Sequence, residues 1–413
     1  MQYKNYALVT GGYWAFTVTD GALRMLVLLH FHHLGFSPVS IAFLFLLYEV
    51  MGVATNLVGG WLGARSGLNR TLIAGLGLQT VALAALTVPH ADWPQVVLVL
   101  YVMGFQALSG VAKDLTKMSS KSAVKYVAGE GGLFRLVAVL TGSKNALKGV
   151  GFFVGAALLS WVGYDAALWT LAGIVSVALI AVALFLTENI GRATSKPAFS
   201  AVLSKSPAIN RLSLARFFLF GSRDIWFVVA LPVFFADVLG WSFEAIGAFM
   251  ALWVIGYGGI QTITPRLLHP AIGDPPAEVR AATEVRAATE VRAANRWVLI
   301  LVVVSAAIAA GVAFDATKTV TTLIVVGGLI VFGAVFAINS SLHSYLILAF
   351  SRGNEVSLDV GFYYSANALG RLTGTFLSGA LYLVGGLEGA LLGSTAFVVA
   401  AWFTTRQIPN RVE

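Results

Sequence analysis

Apolar residues run through this chain in long unbroken stretches, separated by short polar segments. Twelve stretches are long enough to cross about 30 Å of hydrocarbon, which takes ~20 helical residues. They fall near 6–32, 38–62, 71–89, 95–115, 134–160, 167–187, 209–236, 243–264, 297–315, 320–349, 357–384 and 388–406. Barrel strands alternate apolar and polar positions over about 10 residues, and these stretches do not alternate. The pattern predicts an all-α membrane protein with twelve transmembrane helices.

Composition points to lipid as the solvent. Of 413 residues, 58% are hydrophobic and 11% are charged, too few charges to cover a soluble protein of this size. The segment from Met1 to Asn5 is short and polar. The apolar run behind it is too long for a signal h-region and lacks a small-residue cleavage site, so it reads as a retained first span. On a soluble chain a net charge of +8 would suggest nucleic acid. Here its placement argues for topology instead, and no nucleic-acid partner is expected. With both termini cytoplasmic, that side holds Lys4, Arg65, Arg70, Lys121, Lys125, Arg192, Lys196, Lys205, Arg266, Arg296, Arg352 and Arg406, while only Lys318 falls outside.

Two longer cytoplasmic segments divide the chain. The one at 188–208 separates an N-terminal half, 1–187, from a C-terminal half, 209–413. The other, at 266–296, carries EVRAAT, EVRAAT and EVRAAN in tandem and reads as a tolerated loop expansion. The halves look duplicated. Leu34, Gly35, Ser37 and Ile41 recur as Leu239, Gly240, Ser242 and Ile246. Ser143, Asn145, Ala146 and Leu147 recur as Ser365, Asn367, Ala368 and Leu369. Both matches are offset by six helices. Two parallel six-helix halves make the major facilitator fold, with its substrate site between the halves. The loop after the second span, Gly60 to Arg70, resembles that fold's loop signature at Arg65 and Gly67, but has Ala64 where an acid is usual.

Charges inside spans are the informative residues, since each costs ~2.5–3.5 kcal/mol at a helix centre on an insertion scale. Five cations lie near mid-span: Arg24, Lys144, Lys148, Arg223 and Arg371. Lys144 and Lys148 share one helix face and repel unless an anion sits between them. Three acids lie at comparable depth: Asp20, Glu49 and Asp224. Asp20 reaches Arg24 one turn on, whereas Asp224 follows Arg223 directly and is expected to point elsewhere. Glu49 has no basic neighbour one turn away and is a candidate proton carrier. Lys113 and Asp114 lie nearer the cytoplasm as candidate gating groups, with Lys117 at the boundary. Arg216, near a helix end, is expected to snorkel. The cation surplus favours a multiply charged anion, since Arg and Lys both hold oxyanions. The competing reading is a set of internal ion pairs that lock one state.

Other features narrow the field. The chain has no cysteine, which excludes disulfides and thiolate metal sites. His30, His32 and His33 cluster without converging ligands, so no metal is expected. His343 is a candidate lining residue. Tyr13, Trp14, Trp226, Trp253, Tyr257, Gln261, Tyr363 and Asn367 either shape a cavity or fill packing. No GxxxxGK loop is present, no cofactor is expected, and no catalytic set marks an enzyme.

Five segments carry a resemblance: Thr19–Leu26 (TDGALRML), Ala112–Lys125 (AKDLTKMSSKSAVK), Leu140–Phe153 (LTGSKNALKGVGFF), Ala215–Phe234 (ARFFLFGSRDIWFVVALPVF) and Ala251–Gly258 (ALWVIGYG). They resemble the ArsJ-type organoarsenical efflux permeases of the major facilitator superfamily. The resemblance implies a bacterial inner-membrane exporter of 1-arseno-3-phosphoglycerate that confers arsenate resistance. It also implies a functional partner, the glyceraldehyde-3-phosphate dehydrogenase that makes the ester with arsenate in place of phosphate. Arg24, Lys144 and Lys148 are then expected to hold one anionic end, and Arg223 and Arg371 the other. Two rivals stay open. One is an antiporter for phosphorylated organic anions such as 3-phosphoglycerate. The other is a transport-dead membrane sensor or scaffold.

Overall fold

A computed structural model describes residues 2–35, 38–90, 92–127, 132–186, 203, 206–268, 279–314, 317–351 and 355–409. Among the described residues the regular structure is helical throughout, with no strand. The elements are α1 (Gln2–His33), α2 (Pro38–Ser66), α3 (Leu68–Ala85), α4 (Gln95–Val127), α5 (Leu133–Val162), α6 (Tyr164–Phe185), α7 (Pro207–Phe227), α8 (Ala230–Asp237), α9 (Phe243–Leu268), α10 (Val279–Ala313), α11 (Lys318–Phe350) and α12 (Val356–Arg406).

Two departures from simple spans have local causes. α7 and α8 follow one another after a two-residue break and together form one apolar pass, Pro207–Asp237. Ser206 caps α7, its hydroxyl accepting from the Ile209 amide, with Pro207 at the first helical position. α12 joins two helices across Gly385 and Gly386. Gly386 has φ 57° and ψ −152°, a conformation that residues with a Cβ rarely adopt. With α7–α8 taken as one pass and α12 as two, the described helices make twelve passes. Among the described residues, eight helical segments are long and apolar enough to cross a membrane by themselves.

Solvent preference is inverted relative to a soluble protein. Leu383 and Val384 are 88% and 90% exposed, while Asp114, Asp224 and His343 are each 1% exposed. Lipid satisfies the apolar exterior, and the backbone's hydrogen bonds are closed within the helices.

The chain forms two compact units. The first comprises Met1–Gly129, Ser143–Ser204 and Arg352–Ser365, and the second Glu130–Gly142, Lys205–Ser351 and Ala366–Glu413. This differs from a single cut at 188–208 by two exchanged segments: the start of α5 belongs to the second unit, and the start of α12 to the first. Each unit has its own apolar core. In the first, Phe16, Leu23, Leu26, Leu76, Leu83, Leu168 and Leu171 bring α1, α3 and α6 together. In the second, Trp226, Phe235, Trp253, Phe332 and Phe336 build an aromatic core. Trp226 meets Trp253 edge-on with centroids 5.5 Å apart, so these two tryptophans pack rather than line a cavity.

The tandem repeat is not a loop where it is described. α10 begins at Val279 and runs unbroken through the second and third EVRAA copies into the apolar span. Ala, Glu and Arg are good helix formers, and no Gly or Pro interrupts them before Gly311.

Candidate substrate-binding site

The site residues fall into two clusters, one in each unit. In the first unit, α1 and α5 cross where Gly21 leaves no room for a side chain. A Cβ there would stand 2.6 Å from the Lys148 carbonyl oxygen and 3.2 Å from Gly151 Cα. The close crossing sets Asp20 and Arg24 of α1 beside the middle of α5, which bears Lys144 and Lys148.

Asp20 is 4% exposed and accepts a 2.5 Å hydrogen bond from the Tyr48 hydroxyl on α2. Lys148, Arg24 and Lys113 act on it electrostatically. The Tyr48 ring lies 4.1 Å from the Arg24 guanidinium carbon and 3.8 Å from Lys113 Nζ. One tyrosine therefore meets a carboxylate through its hydroxyl and two cations through its ring, the face that attracts positive charge. Lys144 Nζ donates to Asn145 Oδ1 at 3.2 Å. Three cations, Arg24, Lys113 and Lys148, thus gather around Asp20, with Lys144 one turn from Lys148 on α5.

Further along α4, Asp114 accepts from Lys117 Nζ at 2.6 Å and from Thr55 Oγ1 at 2.9 Å. Asp114 is thereby satisfied within the first unit, with Lys117 one turn away on its own helix. Glu49 lies on α2, and its side chain is outside the described residues.

In the second unit, α7 crosses α12 where Gly374 lies against Gly221. A Cβ on Gly374 would stand 2.5 Å from the Gly221 carbonyl oxygen and 3.0 Å from Asp224 Cβ. Asp224 is bound from two sides. Arg371 Nε donates to Oδ2 at 3.0 Å, and Arg223 Nε donates to Oδ1 at 2.6 Å. The expectation that Asp224 points away from Arg223 is overturned. Adjacent Cβ atoms diverge by ~100° around a helix, but the long Arg223 stem folds back and brings its guanidinium to the neighbouring carboxylate. Its guanidinium carbon also lies 5.1 Å from the Phe220 ring centroid. Two cations share one carboxylate here.

Arg216 is also corrected. It is 3% exposed and does not snorkel. Its Nε donates to Asn367 Oδ1 at 2.9 Å, and its Nη1 to Ser340 Oγ at 3.1 Å and Ser340 O at 3.2 Å. Tyr257 and Gln261 each donate to the same Ser340 hydroxyl at 3.0 Å. Phe220 lies under the guanidinium at 3.8 Å. His343 is 1% exposed, and neither ring nitrogen has a hydrogen-bond partner among the described residues.

Sequence reasoning missed Tyr48, Thr55 and Ser340. Tyr48 carried a usable signal, since it sits mid-span one residue before Glu49. Trp14 donates to Ser143 at 2.8 Å, joining α1 to α5. His30 stacks on Tyr164 at 3.9 Å between centroids, a packing contact.

The Major Facilitator Superfamily model matches residues 9–276, well over half of the chain. The chain belongs to the major facilitator superfamily. This secondary transporter shares its fold with solved members. The human organic anion transporter MFSD10 (TETRAN) superposes with a TM-score of 0.75 at 16% identity, covering 98% of this chain and 99% of that one. A bacterial homologue of the iron transporter ferroportin, in its outward-facing state, gives 0.77 at 12% identity over 98% and 99%. The E. coli fucose:proton symporter FucP gives 0.70 at 13% over 98% of each. At such identities the likeness is one of fold and carries no cargo. No curated protein sequence matches the transporter.

Proposed function

We propose that this transporter exports 1-arseno-3-phosphoglycerate from the cytoplasm and thereby confers arsenate resistance. The observation that supports it is the gathering of cations in each unit: Arg24, Lys113 and Lys148 around Asp20, with Lys144 one turn from Lys148, and Arg223 with Arg371 on Asp224. Clustered cations repel a cationic cargo and attract an oxyanion, most strongly in a low-dielectric span. The ester has an arsenate end and a phosphate end with about three negative charges, and Arg and Lys suit both ends. The resemblance of Thr19–Leu26, Leu140–Phe153 and Ala215–Phe234 to the ArsJ-type permeases selects this ester among polyanions. In this reading both termini are cytoplasmic, the membrane is a bacterial inner membrane, and the glyceraldehyde-3-phosphate dehydrogenase is a supplier of cargo rather than a bound subunit.

A second reading is exchange of phosphorylated organic anions such as 3-phosphoglycerate. The same clusters favour it, because lysine and arginine do not distinguish phosphate from arsenate by charge. The organic anions in the name of MFSD10 are compatible with either reading.

The experiment is accumulation of labelled arsenate in cells expressing the chain with and without the dehydrogenase. Lower accumulation only with both present supports ester export. Unchanged accumulation in all arms, with 3-phosphoglycerate flux retained in vesicles, selects the second reading. Replacing Lys148 or Arg223 with Ala is expected to abolish resistance at normal membrane levels.

A further inference from the structure

The third copy of the tandem repeat, residues 290–295, is helical and already belongs to the apolar pass Ala288–Ala313. This part of α10 divides into two stripes. Glu290, Val291, Ala294 and Val298 are buried. Arg292, Arg296, Leu299, Ile300 and Val303 are exposed. At ~100° per residue the two stripes centre roughly 170° apart on the helix. The buried stripe is held by α11, where Asn339 Nδ2 donates to the Ala294 carbonyl at 3.4 Å, and by Val298 in the apolar core of the second unit. The exposed stripe is the side left to the surrounding lipid.

Along that stripe the chemistry changes once. Arg292 and Arg296 stand one turn apart, about 6 Å along the axis. From Leu299 to Val303 the exposed positions are apolar. Trp297 sits at the change, and indole rings favour the boundary between hydrocarbon and headgroups. The two arginines therefore lie at headgroup level.

An open cleft of ≈ 280 Å³ lies at the same level. It is lined by Leu268 at the end of α9 and by Thr289, Arg292, Ala293, Arg296 and Trp297 of α10. Both helices belong to the second unit. Ile263 and Leu267 are exposed on the approach to Leu268, so apolar surface flanks the cleft on α9 as well. Neither arginine is paired with a carboxylate among the described residues. Arg292 reaches only acceptors of its own turn, the Ala288 carbonyl and the Thr289 hydroxyl, each at 3.4 Å. Arg296 has no hydrogen bond or ion pair there. The acid nearest in sequence, Glu290, is 0% exposed on the opposite stripe. Two guanidiniums one turn apart repel. A phosphodiester between them accepts from both forks and relieves that repulsion.

We propose that the cleft between Leu268 and residues 292–297 binds an anionic phospholipid. Arg292 and Arg296 hold its phosphodiester, Trp297 lies beside its glycerol backbone, and its acyl chains run along Leu299, Ile300 and Val303. A choline or ethanolamine headgroup brings a cation of its own to the arginines, whereas a glycerol headgroup brings none, so the anionic lipid is favoured over a zwitterionic one. The site involves neither the Asp20 nor the Asp224 cluster and stands apart from the export reading.

The test uses the purified full chain, freed of lipid in detergent, with dioleoylphosphatidylglycerol as the probe. Native mass spectrometry follows the first bound lipid as its concentration rises. The wild type is expected to take phosphatidylglycerol about tenfold more tightly than phosphatidylcholine with the same chains. Combining Arg292→Gln with Arg296→Gln is expected to weaken the first binding event about thirtyfold, the loss of two cations at an anionic headgroup. The corresponding double change to Lys keeps the charges and is expected to lose less. Arg406→Gln removes one exposed arginine at the end of α12 and is expected to leave the first event unchanged. Both cleft arginines are exposed, so the variants are expected to melt with the wild type in lipid-free detergent. Wild-type affinity in the double Gln variant, equal binding of the two lipids, or a loss in Arg406→Gln as large as in Arg296→Gln alone overturns the site. Displacement of the lipid by excess inorganic phosphate or glycerol 3-phosphate would show a site for free phosphate and overturn the lipid assignment.

Discussion

Arg371 donates its Nε to Oδ2 of Asp224 at 3.0 Å, joining α12 to α7 across a sequence separation of 147. The pair is asymmetric. Asp224 is 1% exposed, whereas the Arg371 side chain is 33% exposed. The carboxylate is fixed and the guanidinium is accessible, which suits a cation that exchanges an internal partner for an anion. Arg223 holds the other carboxylate oxygen, so Asp224 is shared by two positive charges at once.

Asp224→Asn removes the carboxylate charge that those two cations share. Removing one partner of a buried pair costs about 3–5 kcal/mol, and the accessibility of Arg371 reduces that towards ~2. The variant is expected to melt earlier in detergent and to accumulate less in membranes. Adding Arg371→Gln to Asp224→Asn is expected to recover part of the loss, which a double-mutant cycle on Tm reads directly. Independent, additive losses would show that the pair does not couple.

Tyr48→Phe removes the hydroxyl of Tyr48 and keeps its ring. The ring under Arg24 and Lys113 stays, and the 2.5 Å bond to Asp20 goes. A hydrogen bond to a charged group contributes about 1.5–3 kcal/mol. Tyr48→Leu removes the cation–ring contacts as well and is expected to cost ~1 kcal/mol more. Thermal unfolding of the purified variants checks the order wild type, Phe, Leu.

The twelve apolar runs were legible because lipid imposes one requirement on every span, that its backbone bonds close within the helix. The run at 95–115 shows where that reading stops. α4 continues to Val127, because Lys117 to Lys125 remain helical after hydropathy has fallen. Their burial depends on Asp114, Tyr364 and Asp359, and two of those lie far away in sequence. Arg216 was misread for a related reason. Nearness to a helix end suggests snorkelling, but Asn367 and Ser340 receive the guanidinium in the interior. Asp224 was misread because a helical wheel orders Cβ atoms and not the tips of long side chains. The glycines at the two crossings were visible as letters, but only the packed helices show which of them set an approach.

Arg216→Lys tests the correction at that position. A snorkelling residue tolerates the change, since either side chain reaches the interface. A guanidinium that donates to Asn367 and twice to Ser340 does not, because an ammonium cannot reproduce the fork. The expected loss is about 1–3 kcal/mol, the cost of buried partners left unsatisfied. Asn367→Ala alone is expected to lose less, as Ser340 still receives the cation. Equal stability of Arg216→Lys and wild type would contradict the buried network.

Gly21→Ala is the smallest change that separates α1 from α5. Its Cβ would stand 2.6 Å from the Lys148 carbonyl oxygen, a backbone atom that cannot swing aside. The helices must move apart, and overpacking of this kind costs about 1–3 kcal/mol. The shift also carries Asp20 and Arg24 away from Lys148, so transport is expected to fall more than stability does. Gly11 on the same helix meets nothing within 4 Å, so Gly11→Ala controls for helix propensity alone. Rates in proteoliposomes, normalised to folded protein, compare the two. A Gly21→Ala variant that transports like Gly11→Ala would show that the close crossing does not set the spacing of the cation cluster.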